Sequence, residues 1–488
     1  AAREFIQRRP AKRRPRLALR ALNLPGVRTL VAARLRREVL KRAQPEHYPA
    51  PFALIELWLR HGGRGTRAIE AEARSIAALF ATPTCRNLIR VFFLRERMKS
   101  LAPRELAAPR HLHVIGAGVM GGDIAAWAVV QGLEVTLQDR EPEAIDQALA
   151  RAAEQFDRRF KSEAGRASAR SRLRADAEGA GVAQADIIIE AIVERLDIKR
   201  TLFAELERQA RPEALLATNT SSLRLEDIAE SLERPERLVG IHFFNPVAKL
   251  PLVEIIHGEG TDPGVRERAL AFTVAIGKLP LPCASRPGFL VNRILSPYMA
   301  EAMRLHEEGV PLAVIDATAR GFGMPMGPVE LADSVGLDVA LHVAEILGEA
   351  FGYTPPAGLR EKVEAGELGR KSGQGFYAYR DGRKLDEASS TAVAASEDLE
   401  DRLILPMVNE AVACHAEGVV DDLDLLDAGV IFGTGFAPFR GGPIEYARSR
   451  GLAATRSRLE SLAGRYGERF MPHAGWDRLC HDAAGEET

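Results

Sequence analysis

His111-Leu112-His113-Val114-Ile115-Gly116-Ala117-Gly118-Val119-Met120-Gly121 is the stretch on which the fold turns. A short apolar run, 112–115, reads as a strand, and Gly-x-Gly-x-x-Gly follows it at once. A helix over 119–131 comes next, which is the context this glycine pattern requires. Gly116 permits the tight turn and Gly118 lets a pyrophosphate approach the backbone. Gly121 lets helix and strand pack closely, with the helix N-terminus facing the phosphates. The following run, Glu134-Val135-Thr136-Leu137-Gln138, ends at Asp139. An acid at that distance suits the ribose of an adenosine. Its charge favours NAD over NADP, although Arg140 beside it tempers that preference.

Outward from this segment, apolar runs recur at 135–137, 187–192, 215–217, 238–243 and 252–256, with helical stretches between several of them. Strands that alternate with helices predict a parallel sheet. After about 285 the strand signals fade and amphipathic helices dominate. That helical half repeats itself. Arg293, Glu301-Ala302 and Glu308-Gly309 match Arg402, Glu410-Ala411 and Glu417-Gly418. Asp316, Gly327-Pro328 and Glu330 then match Asp427, Gly442-Pro443 and Glu445. Before 110, residues 52–100 read as helices and 101–109 as a linker.

The chain of 488 residues has 66 Lys+Arg and 67 Asp+Glu, for a net charge of −1. This balance excludes a generally basic nucleic-acid binder and a generally acidic disordered chain. The basic residues are nevertheless uneven: residues 1–42 hold 14 Lys/Arg against Glu4 and Glu38. A nucleic-acid or lipid arm, a patch for an anionic substrate and plainly solvated helix faces all fit that start. Cys85, Cys283, Cys414 and Cys480 lie far apart, with neither a disulfide framework nor a zinc pattern. They fit a reducing compartment, so the expected location is cytoplasmic. No metal is expected. No apolar run reaches about 18 residues, so no membrane span is expected.

Three segments carry candidate chemistry. Asn219-Thr220-Ser221-Ser222 follows the apolar run 214–217, at the end of a strand where ligands bind in such sheets. His242 stands in the apolar run Val239-Gly240-Ile241-His242-Phe243-Phe244, and Glu254 in Leu252-Val253-Glu254-Ile255-Ile256. A buried Glu is costly unless paired, and a buried His wants a partner. Two strands so close in sequence can be neighbours, and a His242–Glu254 pair then solves both problems. The Glu would hold the imidazole in one tautomer, as a general base near neutral pH requires. Ser221 could hydrogen-bond a reacting oxygen, and Asn292 stands where the helical half begins. Singly, each has an ordinary explanation: a satisfied core histidine, an asparagine capping a helix.

Together these residues resemble the L-3-hydroxyacyl-CoA dehydrogenases. The resemblance is stronger still to the dehydrogenase half of the multifunctional fatty-acid β-oxidation enzymes of the bacterial complex alpha-subunit type. It rests on Ile115–Gly121, Asp186–Glu194, Asn219–Leu223, His242–Pro246, Pro287–Arg293, Gly327-Pro328 and Gly369–Tyr377, in order over about 110–480. It implies an α/β fold: a Rossmann NAD-binding domain at 109–286, then two repeated all-α dehydrogenase C-terminal domains at 287–385 and 395–482. A helical linker at 51–108 would precede them, and 1–50 would be the end of a crotonase-like hydratase domain whose core is missing. His242 would be the base, Glu254 its orienting partner, and Ser221 and Asn292 the groups at the reacting oxygen. Glu194, Lys199, Asn219 and Lys371 would line the NAD site. Arg158, Arg159 and Lys161 fall near the family's CoA-contacting region. The second helical copy has Asp401 where the first has Asn292, and is expected to be structural.

The expected function is NAD-dependent oxidation of an L-3-hydroxyacyl-CoA to the 3-ketoacyl-CoA in β-oxidation, with a thiolase subunit as a partner. Two alternatives stand beside it. A Rossmann dehydrogenase of free β-hydroxy acids would need a basic residue for the substrate carboxylate in place of the dyad. A catalytically idle scaffold that binds CoA or a partner would not bind NAD.

Overall fold

The computed structural model describes residue 7 and residues 22–62, 65–103, 105–106, 109–385 and 397–486. Residues 1–6 and 8–21 of the basic start, and residues 386–396 between the two helical repeats, lie outside the described residues. The chain forms two compact units, residues 1–90 and 91–488.

The first unit is helical: α1 (Pro25–Leu40), α2 (Pro49–His61), α3 (Thr66–Phe80) and the start of α4 (Pro83–Ser100). Proline opens α1, α2 and α4, where its missing N–H costs nothing. Gly62, at φ 67°, ends α2 in the left-handed region. Among the described residues no single helix is long and apolar enough to cross a membrane.

The second unit begins with alternating elements: β1 (His111–Ile115), α5 (Val119–Val130), β2 (Glu134–Gln138), α6 (Pro142–Arg159), α7 (Glu163–Arg172) and β3 (Leu173–Ala175). Then come β4 (Ile187–Glu190), α8 (Leu196–Gln209), β5 (Leu215–Thr218), α9 (Leu225–Ala229), β6 (Leu238–Phe243), β7 (Leu252–His257), α10 (Pro263–Ala275) and β8 (Leu279–Ala284). One sheet takes all eight strands in the order β3-β2-β1-β4-β5-β6-β7-β8. Order reverses between β1 and β4, which opens a ligand crevice at the carboxyl ends of the strands. Ile187, Ile188 and Ile189, like Leu215, Leu216 and Ala217, are buried without a break. That is how a strand reads when helices cover both faces of the sheet.

The sheet is parallel from β3 to β6, but β7 runs antiparallel to β6. The segment 244–251 is too short for the crossover of a dozen or more residues that a parallel neighbour needs. β8, unannounced in the sequence, then pairs parallel to β7.

Helices make up the remainder. The first set is α11 (Val291–Glu307), α12 (Leu312–Phe322), α13 (Pro328–Val335), α14 (Leu337–Phe351) and α15 (Ala357–Glu364), with a hairpin of β9 (Tyr379–Arg380) and β10 (Arg383–Lys384). The second is α16 (Leu399–Ala416), α17 (Leu423–Thr434), α18 (Pro443–Arg450), α19 (Leu452–Tyr466) and α20 (Gly475–Glu486). The sets share local chemistry. Asp316, fully buried, accepts from the N–H groups of Val329 and Glu330 at 2.9 and 3.2 Å. Asp427 accepts from Ile444 and Glu445 at 2.8 and 3.2 Å. Each aspartate thereby anchors the first turn of a short helix. A Cβ at Gly327 or Gly442 would collide with that aspartate, which is why glycine precedes the proline in both copies.

The sets meet through α11 and α16, and the contact is reciprocal. Arg293 Nε donates to Glu410 at 2.7 Å and its Nη1 to Glu417 at 2.8 Å. Arg402 Nε donates to Glu301 at 2.7 Å and its Nη1 to Glu308 at 2.6 Å. Residue i of one copy contacts j of the other, and j contacts i, which is the pattern of a two-fold interface realised within one chain.

Candidate active site

The site is built from strand ends. β6 and β7 pair so that His242 stands opposite Glu254. The imidazole Nδ1 lies 2.7 Å from Glu254 Oε2. Glu254 is fully buried, and His242 is 5% exposed. A carboxylate accepts only, so in the neutral ring the proton sits on Nδ1 and the lone pair on Nε2. Phe244 packs edge-on to the ring at 4.5 Å and Phe289 lies 5.7 Å away, which limits its rotation.

The second carboxylate oxygen is satisfied from the helical half. Glu254 Oε1 accepts from the N–H groups of Leu290 and Val291 at 3.1 and 2.9 Å. These are orphan donors at the start of α11, where the helix dipole favours an anion. The preceding Pro287-Gly288-Phe289 aims them. Gly288 has φ 73° and Phe289 has φ 50°, both in the left-handed region. A phenylalanine there costs on the order of 1 kcal/mol or more. That strain sits where the turn bends α11 toward Glu254.

A second buried cluster lies at the ends of β4 and β5. Lys199 Nζ reaches Glu190 Oε1 at 2.5 Å, with both side chains essentially inaccessible. Thr218 Oγ1 donates to the other Glu190 oxygen at 2.6 Å. Lys199 also lies 3.2 Å from Glu194 Oε2. Glu194 Oε1 collects the N–H of Ser221 at 2.9 Å and the hydroxyls of Thr220 and Ser222 at 2.5 and 3.0 Å. Burial pushes the Glu194 carboxyl up. The Lys199 charge and these hydrogen bonds outweigh it and hold Glu194 below the usual carboxylate range. Asn219 Oδ1 accepts from the Phe243 N–H at 2.8 Å, tying this loop to β6. Asn292 Nδ2 donates to the Ser221 carbonyl at 3.1 Å, tying it to α11.

The glycine loop has the shape of a cradle. Gly116 has φ 103°, and a Cβ there would come within 2.5 Å of the Ala191 carbonyl. A Cβ on Gly121 would collide with the Gly116 carbonyl. At Gly118 nothing lies within 4 Å of that position, so this face is open. No side chain caps the start of α5, so its amides face that space. A pyrophosphate fits these features. Asp139 Oδ2 accepts from Ala117 N at 2.6 Å, which places the acid against the loop. Arg151 Nη2 donates to the Ala117 and Gly118 carbonyls at 3.3 and 3.2 Å and braces the loop from the other side.

The structure therefore gathers His242, Glu254, Asn292, Ser221, Asn219, Glu194 and Lys199 through direct contacts. Gly116, Gly118, Gly121 and Asp139 form the loop. Lys371 stands apart: its Nζ pairs with Asp338 at 2.6 Å, and no hydrogen bond joins it to the other candidates among the described residues. Its loop is held by Asp333, which accepts from the Phe376 and Tyr377 N–H groups, each at 2.9 Å. Sequence reading did not single out Glu190 or Arg151, and took Thr220 only as part of the segment 219–222. An acid closing the wholly apolar run Ile187-Ile188-Ile189 was the available signal for Glu190.

Comparison with known proteins agrees with this architecture. The family model described as 3-hydroxyacyl-CoA dehydrogenase, NAD binding domain, matches residues 111–286, and that of the C-terminal domain matches 288–379. The fatty acid oxidation complex subunit alpha of Shewanella amazonensis is 35% identical over 92% of this chain and 67% of its own length. The chain thus spans about two thirds of that relative. The 3-hydroxybutyryl-CoA dehydrogenase of Escherichia coli superposes with a TM-score of 0.69 at 29% identity, over 78% of this chain and 100% of that one. The dehydrogenase part of multifunctional enzyme 1 from C. elegans gives 0.58 at 26%, over 81% and 99%. With an NAD cradle, a crevice at the switch point and these relatives agreeing, the chain belongs to the 3-hydroxyacyl-CoA dehydrogenases, NAD-dependent oxidoreductases of hydroxyacyl-CoA.

Proposed function

We propose that His242 is the general base of this oxidation and that the single observation carrying it is the 2.7 Å contact of its Nδ1 with a fully buried Glu254. The free Nε2 takes the proton of the C3 hydroxyl as the C3–H bond breaks with its electron pair. NAD, when bound, supplies the acceptor for that hydrogen. The imidazolium so formed sits against the Glu254 carboxylate, which stabilises it without being protonated. In the reverse direction the same proton returns to the ketone oxygen. Asn292, tied to the Ser221 carbonyl, and Ser221 itself position the substrate oxygen.

NAD would be held by the amides around Gly116, Gly118 and Gly121, by Asp139 at the ribose, and by Glu194, Lys199 and Asn219 along the crevice. Lys371 would join them only by leaving Asp338. The domain division that goes with this reading is 109–286, 287–385 and 395–482. We also assign the chain to the cytoplasm and to a β-oxidation assembly with a thiolase. The fatty acid oxidation complex in the name of the Shewanella relative supports the assembly, and co-purification tests the thiolase.

Replacing His242 with Ala should lower turnover about a hundred- to ten-thousand-fold. NAD affinity should change little, because the base acts mainly in the transition state. Activity within tenfold of the wild type sinks the assignment. Turnover of a free 3-hydroxy acid as efficient as that of its CoA thioester would instead favour a free-acid dehydrogenase.

A further inference from the structure

The reaction as derived uses β6, β7 and the head of α11, and assigns nothing to the second helical set. The geometry points to a positioning role for that set: through Arg293 and the start of α11, it fixes the amide pair that holds Glu254. This rests on the His242–Glu254 reading above.

Arg293 directly follows Asn292 and lies two residues beyond Val291, whose N–H donates to Glu254. The arginine is buried, and its guanidinium is held by Glu410 of α16 and by Glu417 just past its end. The Phe351 ring lies 4.6 Å from it. The first turn of α11 is therefore anchored by carboxylates of the second set.

α17 presses on the same place. A methyl group at Gly433 would come within 2.5 Å of Val291 Cγ2 and 2.7 Å of Leu252 Cδ2. At Gly429 it would come within 2.5 Å of Leu281 Cδ2 and 2.7 Å of Leu290 Cδ2. Leu290 and Val291 are the two donors to Glu254, and Leu281 is the register partner of Glu254 on β8. The second set thus forms the wall behind the carboxylate.

The repeat loses its symmetry at this point. Gly429 and Gly433 stand two and six residues after Asp427. The residues two and six after Asp316 are Thr318 and Phe322. Phe322 packs edge-on against Phe436 and Tyr446, which leaves no room for such an approach. At these two positions glycine occurs only in the copy that backs the dyad. A buried carboxylate with one hydrogen bond per amide cannot follow a moving helix end. A misplacement of about 1 Å at a reacting centre can cost on the order of a hundredfold in rate.

The mirror contact supplies the control. Glu417 holds Arg293, at the head of the catalytic helix. Glu308 holds Arg402, at the head of the second copy's helix, where Asp401 stands in place of Asn292. Each glutamate has further basic neighbours, His473 at 3.6 Å and Arg286 for Glu417, Arg469 at 3.9 Å and Arg304 for Glu308. Glu417→Gln and Glu308→Gln should lower the melting temperature alike. Only Glu417→Gln should lower kcat, by about five- to tenfold when expressed per NAD site counted by calorimetry, with the Kd for NAD unchanged. Equal kcat per NAD site in the two variants overturns the proposal, as does a loss in Glu417→Gln that vanishes on that normalisation. His242→Ala separates the premises. If it stays active, the dyad reading itself fails; if it is inactive and the two glutamine variants match, only the coupling fails.

Discussion

Glu194 shows how a single residue can link stability to the cofactor crevice. Burial alone would raise its pKa, but Lys199 and the hydroxyl and amide donors of 220–222 reverse the direction. A carboxyl held low in the folded state contributes stability that is fully present above its unfolded value of about 4.3. That stability is lost as the pH falls through the depressed folded value. Glu194→Gln removes this titration and leaves the shape. Below about pH 4.3, the wild type should therefore lose stability faster than the variant. The gap between their unfolding free energies should narrow as acid is added. Urea unfolding across that range measures it, and parallel curves would contradict the assignment. The neighbouring Glu190–Lys199 pair, closed on both sides, is dangerous to break. A lone buried charge is left behind, at a cost of about 3–5 kcal/mol.

At the scale of elements, the glycine loop separates two jobs. Gly118 has φ −59° and open space around it, so alanine there keeps the fold and intrudes only where a pyrophosphate would lie. Gly121 abuts the Gly116 backbone carbonyl, which cannot yield as a side chain can. Gly118→Ala should leave the melting temperature nearly unchanged and weaken NAD binding at least about tenfold. Gly121→Ala should cost about 1–3 kcal/mol in stability as an overpacked contact. Thermal melts and NAD calorimetry on both variants distinguish the two; identical profiles would show that the loop's glycines do one job. This loop was the most legible part of the chain, because strand, glycines, helix and Asp139 all agree. The His242–Glu254 contact was legible for a different reason: two polar residues in apolar strands have few ways to be satisfied. β8 was not legible. Pro280 and Pro282 mute its strand signal, and they are tolerated because β8 lies at the sheet edge. β3 has only three residues and leaves directly from a helix. The antiparallel turn of β7 depends on the length of 244–251, a constraint that apolar runs do not reveal.

In the molecule as a whole, the repeated set resembles a dimer closed within one chain, and its charges test whether the two ends of the contact act independently. Residue 293 in α11 and residue 308 just past its end lie 15 positions apart, about 22 Å at the rise of an α-helix. The Arg293–Glu417 and Arg402–Glu308 pairs therefore share no partner and stand well beyond the range of direct coupling. Each guanidinium is almost wholly buried, while Glu417 and Glu308 are 39% and 45% exposed. Solvent screens the outer half of each pair, so each should contribute about 1–2 kcal/mol rather than the value of a fully buried bridge. Combining Glu417→Gln with Glu308→Gln should then add their separate costs to within about 0.5 kcal/mol in equilibrium unfolding. A combined loss well below the sum would mean that one released pair already frees the other. In that case the two helical sets would part as a hinge rather than sit as one body. Additivity in stability, beside non-equivalence in turnover, is the signature expected of a structurally symmetric interface that serves an active site at only one of its ends.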